Sequence, residues 1–397
     1  MDTVDAFLRL HHAAGNAGWL RDALQARANA TGEPCAGGAW RPEQLLSAPV
    51  GDWLAAGAPI GTREVALGPD AGRYAASVQA WLRADPAHTL LGWHDTHYPS
   101  LLRDIANPPT ALFVHGHAER LWWPQVAVVG SRAPTPSGRE RAMRWARAFA
   151  DAGFVVTSGL AAGVDAAAHA AALAEPGTIA VTATGPDRCF PAAHRRLQAD
   201  IALHGAVVTE HPPGTEARPA HFPSRNRIIA GLSLATVVVE AAHRSGALIT
   251  ARLAAETGRE VFALPGAPEN LKARGCHRLI RDGATLVDEP SQVVDALTAS
   301  TGEAIGRLRA VLHAPRRPSC ADGPAAFACT DAERVWRSLG PEGAHFDELL
   351  LRAGLTSATL APILLAMELE GRLTQQHGVY LPCGSAPPRR AGSQRRR

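Results

Sequence analysis

Lysine is almost missing from this chain. Lys272 is the only one in 397 residues, and every other formal cation of its side chains at neutral pH is arginine. Phosphate contacts would therefore be made mainly by guanidinium forks, which grip planar oxyanions bidentately. Cysteines are few and scattered: Cys35, Cys189, Cys276, Cys320, Cys329 and Cys383 include no CxxC pair. That argues against a zinc site and against a disulfide framework. No run of about 18 apolar residues suggests a membrane span. The opening MDTVDAFLRL has no basic region leading into an apolar stretch, so a soluble, cytoplasmic protein without a membrane partner is expected. Bulk charge is also lacking. At a net +3, an anion-binding surface has to arise from local clustering.

The usual signatures of nucleotide chemistry are absent as well. Lys272 is followed by Ala273 and no GK[ST] occurs, so there is no Walker A loop. GxGxxG, GxSxG and HExxH are missing too. The pairs HDTH (94–97) and HGH (115–117) read as solvated loop histidines more readily than as metal ligands. No cofactor, no metal and no catalytic residue is expected.

What is present falls into zones. Residues 1–85 read as short helices broken by Gly/Pro patches, a small N-terminal helical domain of SAM-like type. From 88 to 300, short β-branched runs alternate with helical stretches: VAVVG (126–130), FVVTS (154–158), TIAVTA (178–183), AVVTE (206–210), ATVVVEA (235–241), EVFALP (260–265) and ATLVDE (284–289). Continuous apolar strands separated by helices predict an α/β fold, a Rossmann-like parallel sheet buried on both faces. Residues 301–325 read as a linker. Residues 326–383 follow the order helix, helix, helix, β-hairpin of a winged helix-turn-helix, with a turn at Gly354-Leu355-Thr356 and a wing around His377-Gly378. The tail, 384–397, carries RRAGSQRRR and is expected to be disordered.

In an open parallel sheet, ligands bind beyond the carboxyl ends of the strands. The unusual residues of this sequence gather there. Gly130-Ser131-Arg132 follows the first run of the sheet, and Ser158-Gly159-Leu160-Ala161-Ala162-Gly163 follows the second, with Asp165 as a candidate cap. Arg244-Ser245-Gly246 follows the fifth, with Ser245 as a candidate cap. Just ahead of the fifth run lies HFPSRNRIIAGLS (221–233). If Ser224 caps that helix, Arg225, Asn226 and Arg227 fill its first turn, where each cation is unfavourable by roughly 0.3–1 kcal/mol. Such a placement makes sense if an anion is expected. Glycines let backbone amides approach a phosphate, and Arg132, Arg225, Arg227 and Arg244 could all reach this edge. Phe222 offers a base-stacking face, or alternatively packs on Ile228 or Ile229 at the helix entry. Asp165, Glu210 and Glu240 are candidate acid/base groups, with capping or arginine pairing as the other reading.

Taken in order, GWHDTHYPSLLRDIANPPTALFVHG, VAVVGSR, SGLAAGVDAAAH, TEHPPG, FPSRNRIIAGLS, VVVEAAHRSGALITARLAAETGREVFALPG and GCHRLIRDGA resemble the DprA/Smf family of DNA-processing proteins, from about Leu90 to Leu297. The resemblance implies a Rossmann-like domain that binds single-stranded DNA, forms a homodimer through that domain, and loads the recombinase RecA during natural transformation. By motif position, Ser131 and Arg132, the Ser158-Gly159 turn, Phe222, Arg225, Asn226, Arg227, Arg244 and the Ser245-Gly246 turn line the implied DNA site. The chain departs from the family pattern at Ser224, Cys189-Phe190, His194 and His277. Two rival readings stand beside it. One is a Rossmann-like nucleotide phosphoribohydrolase of the LOG type, whose PGGxGTxxE signature finds only PGAPEN here. The other is a winged-helix transcription regulator, whose third helix would carry no arginine before Arg372.

Overall fold

The computed structural model describes residues 2–24, 40–174, 176–299, 330–339, 344–356, 359–360, 363–364, 367, 373–376 and 379–382. The chain divides into two compact units, Met1–Ile305 and Gly306–Arg397. The expected linker 301–325, the tail 384–397 and the His377-Gly378 turn lie outside the described residues.

Among the described residues of the first unit nine strands form one sheet: β1 (His88–Gly92), β2 (Ala111–Gly116), β3 (Gln125–Val129), β4 (Val155–Ser158), β5 (Thr178–Val181), β6 (Ala206–Thr209), β7 (Ala235–Val238), β8 (Glu260–Ala263) and β9 (Thr285–Leu286). Their order is β1-β2-β6-β5-β4-β3-β7-β8-β9. The seven expected strands are β3 to β9, and all pair in parallel. Val126, Val128, Val156, Ile179, Val207 and Val237 are fully buried. Coverage on both faces is why these runs are continuously apolar. From β3 the chain steps outward through β4, β5 and β6, then returns to lay β7 on the other side of β3. That reversal opens a crevice beyond the carboxyl ends of β3 and β7.

Strands β1 and β2 lie outside the expected parallel set, and both the β1–β2 and β2–β6 pairings are antiparallel. HTLLG carries no long apolar run, so its pairing is decided by packing instead of by pattern. Helices cover both faces. On one, Trp145 and Phe149 of the helix Pro136–Asp151 share a core with Val126, Val128 and Val237. On the other, Ile228, Ile229 and Leu232 share a core with Val129, Val155 and Val181. Phe7, Leu10 and Trp53 of the N-terminal helices belong to that same cluster. Residues 1–85 are thus helical where described, and their core is continuous with that of the sheet.

The second unit has helices Thr330–Leu339 and Phe346–Ala353, and a small sheet of β10 (Ala344–His345), β11 (Leu373–Gln376) and β12 (Val379–Pro382) in the order β10-β12-β11. Val335, Leu339, Leu349, Leu360, Leu364, Met367 and Leu373 form its core. Gly354 ends the second helix at φ 63°, a left-handed conformation that glycine adopts without steric cost. The amide of Leu360 then donates to Thr356 O at 2.9 Å, starting the next helical turn as the GLT motif predicts. This is the winged-helix order, with β10 as an addition that two residues of sequence cannot announce.

Candidate nucleic-acid interface

At the crevice, three loops and two helix starts meet around a cleft of ≈ 810 Å³. The first loop leaves β3 through Gly130. A Cβ there would meet Val164 Cγ2 at 2.7 Å and Glu240 O at 2.9 Å, so only glycine fits. Ser131 donates its amide to Glu240 O at 2.6 Å and accepts from Val164 N at 3.1 Å. The buried Glu240 carboxylate accepts from Thr135 N at 3.0 Å and Thr135 Oγ1 at 2.6 Å. Thr135 in turn caps the helix Pro136–Asp151, accepting from Gly138 N at 3.0 Å. Held in this way, the loop presents Arg132 to solvent, its guanidinium 5.6 Å from the centroid of the Phe222 ring.

The second loop, Ser158 to Gly163, is internal scaffolding. Ser158 is fully buried and donates to Val128 O at 2.6 Å. Asp165 does not cap its own helix, Val164–Ala171, where Gly163 stands at the N-cap. Its carboxylate accepts instead from Gly159 N at 3.2 Å and Ala161 N at 3.3 Å, fixing the preceding turn. Leu160 sits at φ 56° without being glycine, a conformation that persists only where its surroundings over-determine it. Here His169 Nε2 accepts from its amide at 3.3 Å, and His194 Nδ1 donates to its carbonyl at 2.9 Å.

Arg225 belongs to this scaffold and not to the first turn of a helix. The helix runs His221–Leu232, starting four residues earlier than a Ser224 cap would place it. Ser224 is no cap; its hydroxyl donates to His221 O at 3.0 Å. Arg225 and Arg227 are therefore the fifth and seventh helical residues, past the turn where the helix dipole repels cations. Arg225 is 5% exposed and donates to the carbonyls of Gly159 and Val181. Burial pulls its pKa down to about 10, with nearby Asp165 opposing that shift. Asp165 is in turn pushed up by burial and held back by Arg225. Arg227 is committed as well, bound at 2.5 Å to the almost fully buried carboxylate of Glu210. Glu210 also accepts from Asn16, and Asn16 Oδ1 accepts from Thr110 N at 3.0 Å, so this pair ties the N-terminal helices to the sheet.

Of the sequence-predicted residues, Ser131, Arg132, Phe222, Arg225, Asn226, Arg244, Ser245 and Gly246 line the cleft, whereas Ser158, Gly159 and Arg227 do not. Arg132 and Arg244 are its exposed guanidiniums. Gly246, and not Ser245, is the N-cap of the helix Ala247–Glu256; Ser245 Oγ accepts weakly from Ala247 N at 3.4 Å. The N-terminus of that helix, Gly246 and Ala247, borders the cleft, and its first amides are already engaged: Leu248 N donates to Ser245 O at 3.1 Å and Ile249 N to Gly246 O at 3.0 Å. Phe222 does not staple onto Ile228 or Ile229. It is half-buried and lies 5.4 Å from Phe190, tilted 60°. Phe190, 48% exposed, is the residue that motif reading noted only as a departure. It is supplied by the segment after β5, and no local spacing could pair it with Phe222.

His169 and His11 are buried, and burial lowers them to about 3 and about 4. His169 is held neutral, since Nδ1 donates to Thr178 Oγ1 at 2.8 Å while Nε2 accepts. Folded values below the ordinary 6.5 mean the unfolded chain binds more protons. The stability these groups contribute is therefore complete above pH 6.5 and is lost as pH falls through 6 and 5. Each adds a slope of up to about 1.4 kcal/mol per pH unit. The urea midpoint should drop between pH 7 and pH 5.5, and His169→Gln should flatten the dependence. Equal midpoints at both pH values would refute this.

The sequence profile of DNA recombination-mediator protein A matches residues 89–298, and that of the DprA winged helix domain matches residues 321–379. The chain is 39% identical over 307 residues to Protein Smf of Escherichia coli, covering 76% of this chain and 79% of that protein. The X-ray structure of DNA processing protein A from Streptococcus pneumoniae superposes with a TM-score of 0.60 at 33% identity, over 74% of this chain and 98% of that one. The Helicobacter pylori DNA processing protein A, whose structure addresses its single-stranded DNA binding mode, gives 0.50 at 27% identity, over 54% and 96%.

Proposed function

This chain belongs to the DNA recombination-mediator protein A family, and from that premise we propose that it binds single-stranded DNA in the Phe222 cleft, shields it, and delivers it to the recombinase RecA during natural transformation. The observation that carries the reading is the juxtaposition of Arg132, Phe222 and Phe190, with Arg244 and a helix N-terminus in the same cleft. Guanidiniums hold phosphates, and aromatic faces take unstacked bases without regard to sequence. A duplex keeps its bases stacked inside and offers such a face nothing. A homodimer through the sheet domain belongs to the same proposal.

The candidate acid/base groups favour binding over catalysis. Asp165 holds two backbone amides, Glu210 holds Arg227, and Glu240 holds Thr135. Each carboxylate is spent on positioning a loop or helix.

Salt dependence tests the reading. Single-strand affinity should fall steeply with ionic strength, and more weakly bound duplex should compete poorly. Arg132→Ala and Arg244→Ala should each reduce the slope of log K against log salt by about 0.7, the value for one phosphate on a single strand. Wild-type slopes in both variants would remove the cleft from the DNA site. Recruitment of RecA is read separately, as faster RecA filament assembly on single strands preloaded with this protein.

A further inference from the structure

The antiparallel edge of the sheet carries a group of side chains that the DNA reading leaves unused. His88 and His115 stand directly opposite one another on β1 and β2, ring centroids 4.7 Å apart. Opposed residues on neighbouring strands point to one face, so their closeness is imposed by register. Asp85, just past the helix Pro69–Ala84, comes alongside. One donor atom from each of the three lies within 4.8 Å of the other two. His115 is thus a strand residue facing His88, not a loop histidine paired with His117.

The rest of each side chain is already engaged in ways that orient the group. His88 Nδ1 contacts Trp81 O at 2.7 Å. A carbonyl can only accept, so Nδ1 carries the proton and Nε2 keeps its lone pair. The Trp81 ring stacks on this imidazole at 4.0 Å and 15°, holding its plane. One Asp85 oxygen accepts from Ala87 N at 2.8 Å. An imidazole whose second nitrogen donates to a carbonyl is the arrangement that orients metal-bound histidines. His88 and His115 also line a cleft of ≈ 630 Å³ shared with Arg188 and Phe190, so solvent reaches them.

We propose that Asp85, His88 and His115 bind one divalent first-row transition ion, with zinc the best match. Two imidazoles and a carboxylate form a nitrogen-rich donor set that suits zinc, cobalt or nickel and not magnesium or calcium, which prefer oxygen alone. Three protein ligands leave a coordination position for water on the cleft side. The ion would clip the end of the helix Pro69–Ala84 and β1 to β2, at the joint between the N-terminal helices and the sheet.

The test is a Co²⁺ titration of the tag-free full chain, read by visible absorption and followed by displacement with Zn²⁺. One equivalent should give ligand-field bands that zinc abolishes. His115→Gln and Asp85→Asn should each weaken binding by about tenfold or more, while His117→Gln, just past the end of β2 and outside the group, should not. Circular dichroism of the metal-free variants checks that each is folded. If His115→Gln misfolds, Asp85→Asn, altered at a helix end, carries the comparison. A wild-type protein that takes up no cobalt in this way, or variants that bind it as well as wild type, would overturn the proposal.

Discussion

Replacing Arg225 by alanine should lower the unfolding free energy by about 3–5 kcal/mol, the cost of removing one partner from a buried charged network. The guanidinium is 5% exposed and satisfies the carbonyls of Gly159 and Val181, which join the ends of β4 and β5 to the helix His221–Leu232. Without it, two buried carbonyls lose their donor and Asp165 loses the positive charge that offsets its burial. Chemical denaturation should show a lower midpoint, and single-strand binding should fail together with the fold. A variant that unfolds at the wild-type midpoint yet loses DNA would return Arg225 to the role of a direct phosphate ligand.

Phe222→Ala should behave in the opposite way. The ring is half-buried and rests against Phe190 and Arg132, not in the core, so the unfolding midpoint should shift little. Its loss should weaken single-strand binding by about 1–3 kcal/mol per stacked base, or roughly 5- to 150-fold. Phe222→Trp should retain binding because any aromatic face serves. Phe190→Ala should show the same pattern, and the two losses should not add, since the rings touch. The effect should survive high salt, unlike that of the arginines, because stacking releases no counterions. Unchanged affinity in both single variants would remove stacking from the mechanism.

The α/β character was legible because buried strands announce themselves. A run such as VAVVG has no alternative use once both its faces are covered, and all seven such runs became the parallel part of one nine-stranded sheet, with only the short β9 exposed among them. The ends of those runs were legible for the same reason, since glycine, serine and arginine gathered where the apolar pattern stopped. Strands β1 and β2 were not. β1 is the edge strand and β2 joins it to β6, and their registry depends on packing against helices far away in sequence.

Side-chain roles at the site divided along the same line. Composition and order were enough to bring Arg132, Phe222 and Arg244 to one edge, because the topology of a parallel sheet returns every strand end to the same side. Which arginine stays free was decided only in three dimensions. Arg225 and Arg227 look alike in HFPSRNRIIAGLS, but a helix starting at His221 turns the first into the core and the second onto Glu210. Their neighbour Phe222, just ahead of Pro223, lies toward the cleft and meets Phe190. Sequence determines which groups reach the crevice, since strand polarity is written in local pattern. Tertiary structure decides which remain available to a ligand, since burial and partnership depend on residues brought together from across the chain.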